Sequence, residues 1–175
     1  MKSTSEWLEG ILKDNKLLID WLKKQYCGEV RAYIKITEVS KYLLPTETKS
    51  KLRHIANQEL QHSFLIGTLI HSRGYLPSVN YHSTEKRYWK NTELKKKTFK
   101  ELMAVGSHAE NMRLVRINAI CDHPDTPDDI REVFQHIQKE ELWHAKVFTD
   151  LSDIDSLEKM KYEHKCGLQL LGLEI

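Results

Sequence analysis

Only three cysteines occur in 175 residues, at 27, 121 and 166, and no two are spaced as C-x-x-C. An odd, scattered set of this kind excludes a disulfide framework, a zinc ribbon and a rubredoxin-type iron site, and points to a reducing cytoplasm. Seven glycines and four prolines are too few for a loop-rich or low-complexity chain. No run of about twenty apolar residues exists, so no transmembrane helix is expected. The opening MKSTSEWLEG lacks the basic-then-apolar pattern of a secretory signal. Neither sign of charge dominates: 27 Lys and Arg against 25 Asp and Glu leave +2, and the lysines at 95–97 form only a local cluster. That balance gives no reason to expect a nucleic-acid partner.

What remains is a helical pattern with a repeat inside it. HIANQELQH, at His54–His62, and HIQKEELWH, at His136–His144, agree at five positions and lie 82 residues apart. Each contains Glu-x-x-His: Glu59 with His62, and Glu141 with His144. A further glutamate pair repeats at nearly the same offset, Glu29 in GEVRAYIKI and Glu110 in AENMRLVRI. Four helical stripes carry these residues. The first runs through Leu18, Leu22, Gln25, Glu29, Ala32, Ile36, Val39 and Leu43. The second runs through Leu52, Ile55, Glu59, His62, Ile66 and Leu69. The third takes Phe99, Met103, Gly106, Glu110, Arg113, Ile117 and Ile120, and the fourth Ile130, Val133, Ile137, Glu141, His144, Phe148 and Leu151. Every candidate ligand sits inside its apolar stripe, where an uncompensated carboxylate is expensive.

The spacing also predicts where the chain turns. Ligands at one level of an antiparallel hairpin lie equally far from its turn. The midpoint of Glu29 and Glu59 is residue 44, beside Pro45; that of Glu110 and Glu141 falls in DHPDTPDD. Both are proline-containing breakers. The chain therefore reads as an all-α single domain, 1–175, with a four-helix bundle over about 5–151 built from two duplicated hairpins. Residues 74–91 lose the period; eighteen residues reach roughly 60 Å when extended, enough to cross over a helix of about 45 Å. DIDS, after Leu151, is a cap for a short C-terminal helix ending near Lys165. The tail LQLLGLEI is apolar enough to dock on the bundle or on a second subunit.

Glutamate and histidine three residues apart share one helix face and can reach one ion. Four carboxylates against two divalent ions give a nearly neutral site, whereas without metal the carboxylates repel and some would take up protons. Oxygen-rich ligation with one imidazole per ion suits iron, with manganese as the alternative, better than zinc. Other residues carry two readings each. His54 and His136 lie about 140° around the helix from the glutamates and fit a flanking hydrogen bond better than ligation. Tyr26 and Tyr33 either pack in the core, or hydrogen-bond a carboxylate or relay an electron. Arg113 either pairs with a ligand carboxylate or snorkels outward. Gly106 either opens a channel or permits close helix packing. Trp143 fits an interface or core position, and Cys27 and Cys121 fit buried, small apolar positions.

Taken together, Glu29, Glu59-x-x-His62, Glu110 and Glu141-x-x-His144 resemble the ferritin-like superfamily of carboxylate-bridged di-iron proteins. By size, and by segments such as IQKEELWHAKVF, the rubrerythrin-like branch is nearest; the resemblance covers about residues 15–151. It implies a ferritin-like four-helix bundle with a long crossover and two iron ions. Glu59 and Glu141 would bridge, and Glu29 and Glu110 would be terminal ligands. It also implies a cytoplasmic oxidoreductase acting on hydrogen peroxide or dioxygen, a homodimer and an external electron donor. Arg113 stands where rubrerythrins carry a further glutamate, so their peroxide-driven ligand switch is not expected here. No rubredoxin-like tail is expected, so electrons are expected to come from outside. Leu60 stands where bacterioferritins place a haem methionine, so haem is not expected. A di-iron hydroxylase acting on a small organic substrate, and iron handling or storage, are the alternative functions.

Overall fold

The computed structural model describes residues 4–79 and 97–170, without the side chains of Ser5 and residues 166–170. Among the described residues every regular element is an α-helix: α1 (Thr4–Leu12), α2 (Asn15–Val39), α3 (Thr46–Ser72), α4 (Phe99–Asp122), α5 (Asp128–Leu151) and α6 (Ile154–Leu170). None is long and apolar enough to cross a membrane. These residues divide into two compact units, one comprising 8–79 and 121–137, the other 4–7, 97–120 and 138–170.

In the first unit, α1 gives way to α2 at Asp14, whose carboxylate accepts from the N–H groups of Lys16 at 2.8 Å and Leu17 at 3.2 Å. The aspartate thereby satisfies two of the donors that a new helix leaves unpaired. α2 stops at Val39 and α3 starts at Thr46, so the turn brackets residue 44 as the ligand spacing predicts. Leu43, placed on the helical stripe by its spacing, instead lies in this turn and is fully exposed. Three residues of Ser-free, apolar pattern before Pro45 imitate a helix, but the proline disfavours helical backbone just ahead of it. α3 then packs along α2. It ends at Gly74, whose φ of +79° lets Gly74 N–H donate to the His71 carbonyl at 2.9 Å and Tyr75 N–H to that of Ile70 at 3.2 Å. This is a Schellman closure, and the positive φ is why glycine stands there.

The core of this unit is made by Leu18, Ile19, Trp21 and Leu22 of α2, Leu52, Ile55, Ile66 and Ile70 of α3, and Ile130, Phe134 and Ile137 of α5, all buried. Each contributes roughly 1.5–3 kcal/mol relative to exposure. Trp21 and Phe134 pack as tilted rings with centroids 5.0 Å apart. The start of α5 is held by Arg73 to Asp129 at 2.9 Å. Arg131 gathers the turn before it by donating to the carbonyls of Cys121, His123, Pro124 and Thr126.

The second unit is organised by α4, the later part of α5, and α6. Thr98 and Glu101 form a reciprocal cap: Thr98 N–H donates to the Glu101 carboxylate at 2.7 Å, and Glu101 N–H to the Thr98 hydroxyl at 3.3 Å. Along α4 and α5, Gly106 meets Phe148, Ser107 meets Thr149, Arg113 meets Glu141 and Asn118 meets Gln138. Numbers rise on one helix as they fall on the other, so the two run antiparallel. α6 begins at Asp153, whose carboxylate accepts from Ser156 N–H at 2.8 Å, as the DIDS segment predicts. It runs on to Leu170 rather than ending near Lys165, because the single Gly167 costs only about 1 kcal/mol in a helix interior. Met160 and Leu157 of α6 pack on Ala104 and Val105 of α4, flanked by Lys97–Glu163 at 2.7 Å and by a Lys159–Glu101 ion pair. Residues 80–96, which hold most of the expected crossover and of the lysine cluster, and tail residues 171–175 lie outside the described residues.

Candidate metal centre

All six glutamates and histidines singled out by the repeat are buried. Glu29, Glu59, His62, Glu141 and His144 are 0% exposed and Glu110 is 6% exposed. Helical period explains this directly, since each lies in line with the apolar residues that drive its helix inward.

In the first unit, Glu29 of α2 and Glu59 and His62 of α3 each present a ligand atom, all within 4.8 Å of one another. His62 Nδ1 is 3.9 Å from Glu29 Oε2. In the second unit, Glu110 of α4 and Glu141 and His144 of α5 do the same, again within 4.8 Å. Here His144 Nδ1 lies 3.1 Å from Glu141 Oε2, and Arg113 Nη1 lies 3.1 Å from Glu141 Oε1 and 4.0 Å from Glu110 Oε2.

The donor sets fit a metal ion. Bonds of roughly 2.0–2.2 Å from oxygen or nitrogen to a first-row ion put donors on one ion no more than about 4.4 Å apart. Donors already within 4.8 Å reach that separation by small side-chain rotations. Two buried carboxylates converging on an imidazole, with no lysine or cysteine in either group, offer a doubly charged cation what hydrocarbon packing does not. Each of these buried groups could therefore hold a metal ion.

The remaining candidates separate by surroundings. Tyr26 lies over Gly67, its ring carbons 3.4 and 3.6 Å from where a β-carbon would stand; this is the packing reading. Tyr33 is half-buried on α2. His54 and His136 are exposed on their helices, outside both triads. Trp143 is half-buried, its ring edge-on to His144 at 5.8 Å. At Gly106 the geometry matches the close-packing reading. A β-carbon there would lie 3.0–3.2 Å from the Phe148 ring, so the missing side chain is what lets that ring approach α4. Cys27 and Cys121 are buried, as their places near the helical seams predict.

Three structural features escaped the sequence reading. Arg131 left no signal, because its targets are backbone carbonyls. Asp14 and the Thr98–Glu101 cap were legible as capping chemistry in KDNK and TFKE.

Comparison with known proteins found no matching family model, no matching curated protein and no matching solved structure. The functional reading consequently stands on the two triads and on their correspondence in the sequence.

Proposed function

We propose that the chain is a ferritin-like, rubrerythrin-like di-iron oxidoreductase acting on hydrogen peroxide or dioxygen. The observation that supports it is single: two buried Glu, Glu, His triads occupy corresponding positions of a repeat about 82 residues long. In this reading both triads serve one binuclear centre in a four-helix bundle of two hairpins. Glu59 and Glu141 would be shared between the ions, Glu29 and Glu110 would each hold one of them, and His62 and His144 would give one nitrogen apiece. Two ferrous ions there would supply the electrons that reduce the oxidant.

The chain's own residues set the conditions for that chemistry. Four carboxylates neutralise two divalent charges, which keeps a dry site electrostatically tolerable. The apolar residues flanking the ligands, Ile55 and Ile66 on α3 and Ile137 and Phe148 on α5, are buried and exclude bulk water from the donors. Arg113 holds Glu141 in place. An external electron donor would re-reduce the centre, and a homodimer in the cytoplasm is the expected working form.

Anaerobic ferrous titration, followed by mixing with peroxide or with dioxygen and watched in the near ultraviolet, tests this reading. Saturation at two irons per chain with faster oxidation by peroxide is expected. Oxygen consumption only on adding an organic compound would replace the reading with a hydroxylase, and failure to bind iron would end it. Glu59→Ala should abolish the binuclear spectrum while the protein stays helical; two coupled irons in that variant would contradict the bridging role.

A further inference from the structure

Arg113 is a fixed cation attached to the candidate ligands of its own unit. Its Nη1 lies 3.1 Å from Glu141 Oε1 and 4.0 Å from Glu110 Oε2, so it reaches both carboxylates that α4 and α5 contribute. Helical period explains the placement, since Arg113 follows Glu110 by three residues and shares its face of α4. The Arg113 side chain is 15% exposed, and those of Glu141 and Glu110 are 0% and 8% exposed. Solvent and salt screen such a contact far less than a surface pair. A guanidinium also keeps its charge at every working pH. The charge need not leave when metal arrives. A carboxylate has about four lone-pair directions and can accept from Arg113 while it bonds a metal ion.

Resting on the binuclear reading, we propose that Arg113 is a positioning residue that acts through Glu141 to raise the reduction potential of the iron pair. Oxidising the pair takes one electron from each ion and adds two positive charges to a buried site. A cation already attached to a ligand opposes that addition. Its hydrogen bond also draws electron density from a carboxylate that the oxidised ions need more strongly. Both effects favour the reduced pair. Glu141 is shared between the ions in this reading, so the effect falls on the pair as a whole. Other cations near the ligands are present in wild type and variant alike and cancel in the comparison. Any further partner of the guanidinium leaves the sign unchanged, because a neutral substitution removes the same unit of charge. The consequence concerns the external donor: one of modest reducing power suffices to return the oxidised pair to its ferrous form.

Spectroelectrochemical titration of the iron-loaded protein, with mediators and near-ultraviolet detection, reads the midpoint potential directly. Arg113→Gln keeps an N–H donor and loses the charge. It should shift the oxidised-to-reduced ratio about tenfold or more per electron, lowering the midpoint by about 60 mV or more. Arg113→Lys keeps the charge and loses the planar fork, so its midpoint should stay within about half that distance of wild type. An unchanged or raised midpoint in Arg113→Gln, or an equal fall in both variants, overturns the proposal. Equal falls would mean that the shape of the contact matters and its charge does not. Should Arg113→Gln fail to load two irons, infrared difference spectra of wild type carrying isotope-labelled arginine decide. A guanidinium band that moves between the oxidised and reduced forms supports the proposal, and the lack of one overturns it. Wild type that binds no iron, or binds it only as isolated ions, refutes the binuclear reading itself. An intact pair whose midpoint is indifferent to Arg113 refutes only the role of that residue.

Discussion

Replacing Gly106 by alanine sets two known effects against each other, and the geometry decides the sign. Removing a mid-helix glycine favours the folded state by about 0.5–1 kcal/mol. Opposing this, the new methyl would stand 3.0 Å from Phe148 Cγ, 3.1 Å from Cδ2 and 3.2 Å from Cδ1. Ordinary carbon contacts lie at about 3.5–4.0 Å, so roughly half an ångström must be found. Cγ is the root of the ring and cannot swing aside as a side-chain tip would. Phe148 is also 2% exposed, with no open space to enter. Relief must come from shifting α4 against α5, an overpacking cost of about 1–3 kcal/mol. The net expectation is destabilisation by about 1–2 kcal/mol, a fall in Tm of about 3–7 °C for a chain of this size. Gly106 precedes Glu110 by one turn and Phe148 follows His144 by one turn, so the same shift should weaken metal binding at that triad. Thermal unfolding of the metal-free and metal-loaded forms reads both effects. A raised Tm with unchanged affinity would refute the close-approach argument and return Gly106 to the role of an opening.

Two further perturbations test the supporting structure. Burial, with His108 stacked beside it at 5.7 Å, pushes the His164 pKa down from 6.5 to about 4. The unfolded chain takes up this proton first, so stability should fall as pH drops from about 6.5 to 4, by about 1–2 kcal/mol after allowance for solvent. His164→Gln should flatten that segment of the Tm against pH curve, and an unaltered slope would rule the histidine out. Its hydrogen bond from Lys159, followed by that from the Thr98 backbone, holds Glu101 at about 2. Its contribution is therefore present above about 4.5 and lost as pH falls toward 2; Glu101→Gln, which keeps the cap, should remove this second decline. Arg131→Ala strips four carbonyls of their shared donor and should cost about 2–3 kcal/mol in urea unfolding. Arg131→Lys should recover only part, since one ammonium cannot span the set; a loss under half a kcal/mol would show the clasp to be ornamental.

The sequence was most informative where a residue type is costly in its place. Glu29, Glu59, Glu110 and Glu141 stood out because carboxylates on an apolar stripe require a reason, and their burial follows from helical period alone. Turns were legible through Pro45 and Pro127, since proline acts locally. Leu43 misled because it kept the period after the chain had left the helix. α1 went unseen as a separate element, although Asp14 before Asn15 carried the capping signal. The two readings of Gly106 could not be parted from the sequence, because they depend on which ring stands opposite. Arg113 was poised between a surface and a ligand-bound position for the same reason.

The sulfur atoms acquire a meaning beside an oxidant. Cys27 is 1% exposed and Cys121 6%, and burial, reinforced by the neighbouring Asp122 charge, pushes the Cys121 thiol above its usual pKa. Peroxide attacks thiolate far faster than thiol. A thiol kept protonated and shielded is thus a poor sacrificial target, so under the proposed peroxide chemistry Cys27 and Cys121 would outlast repeated turnover.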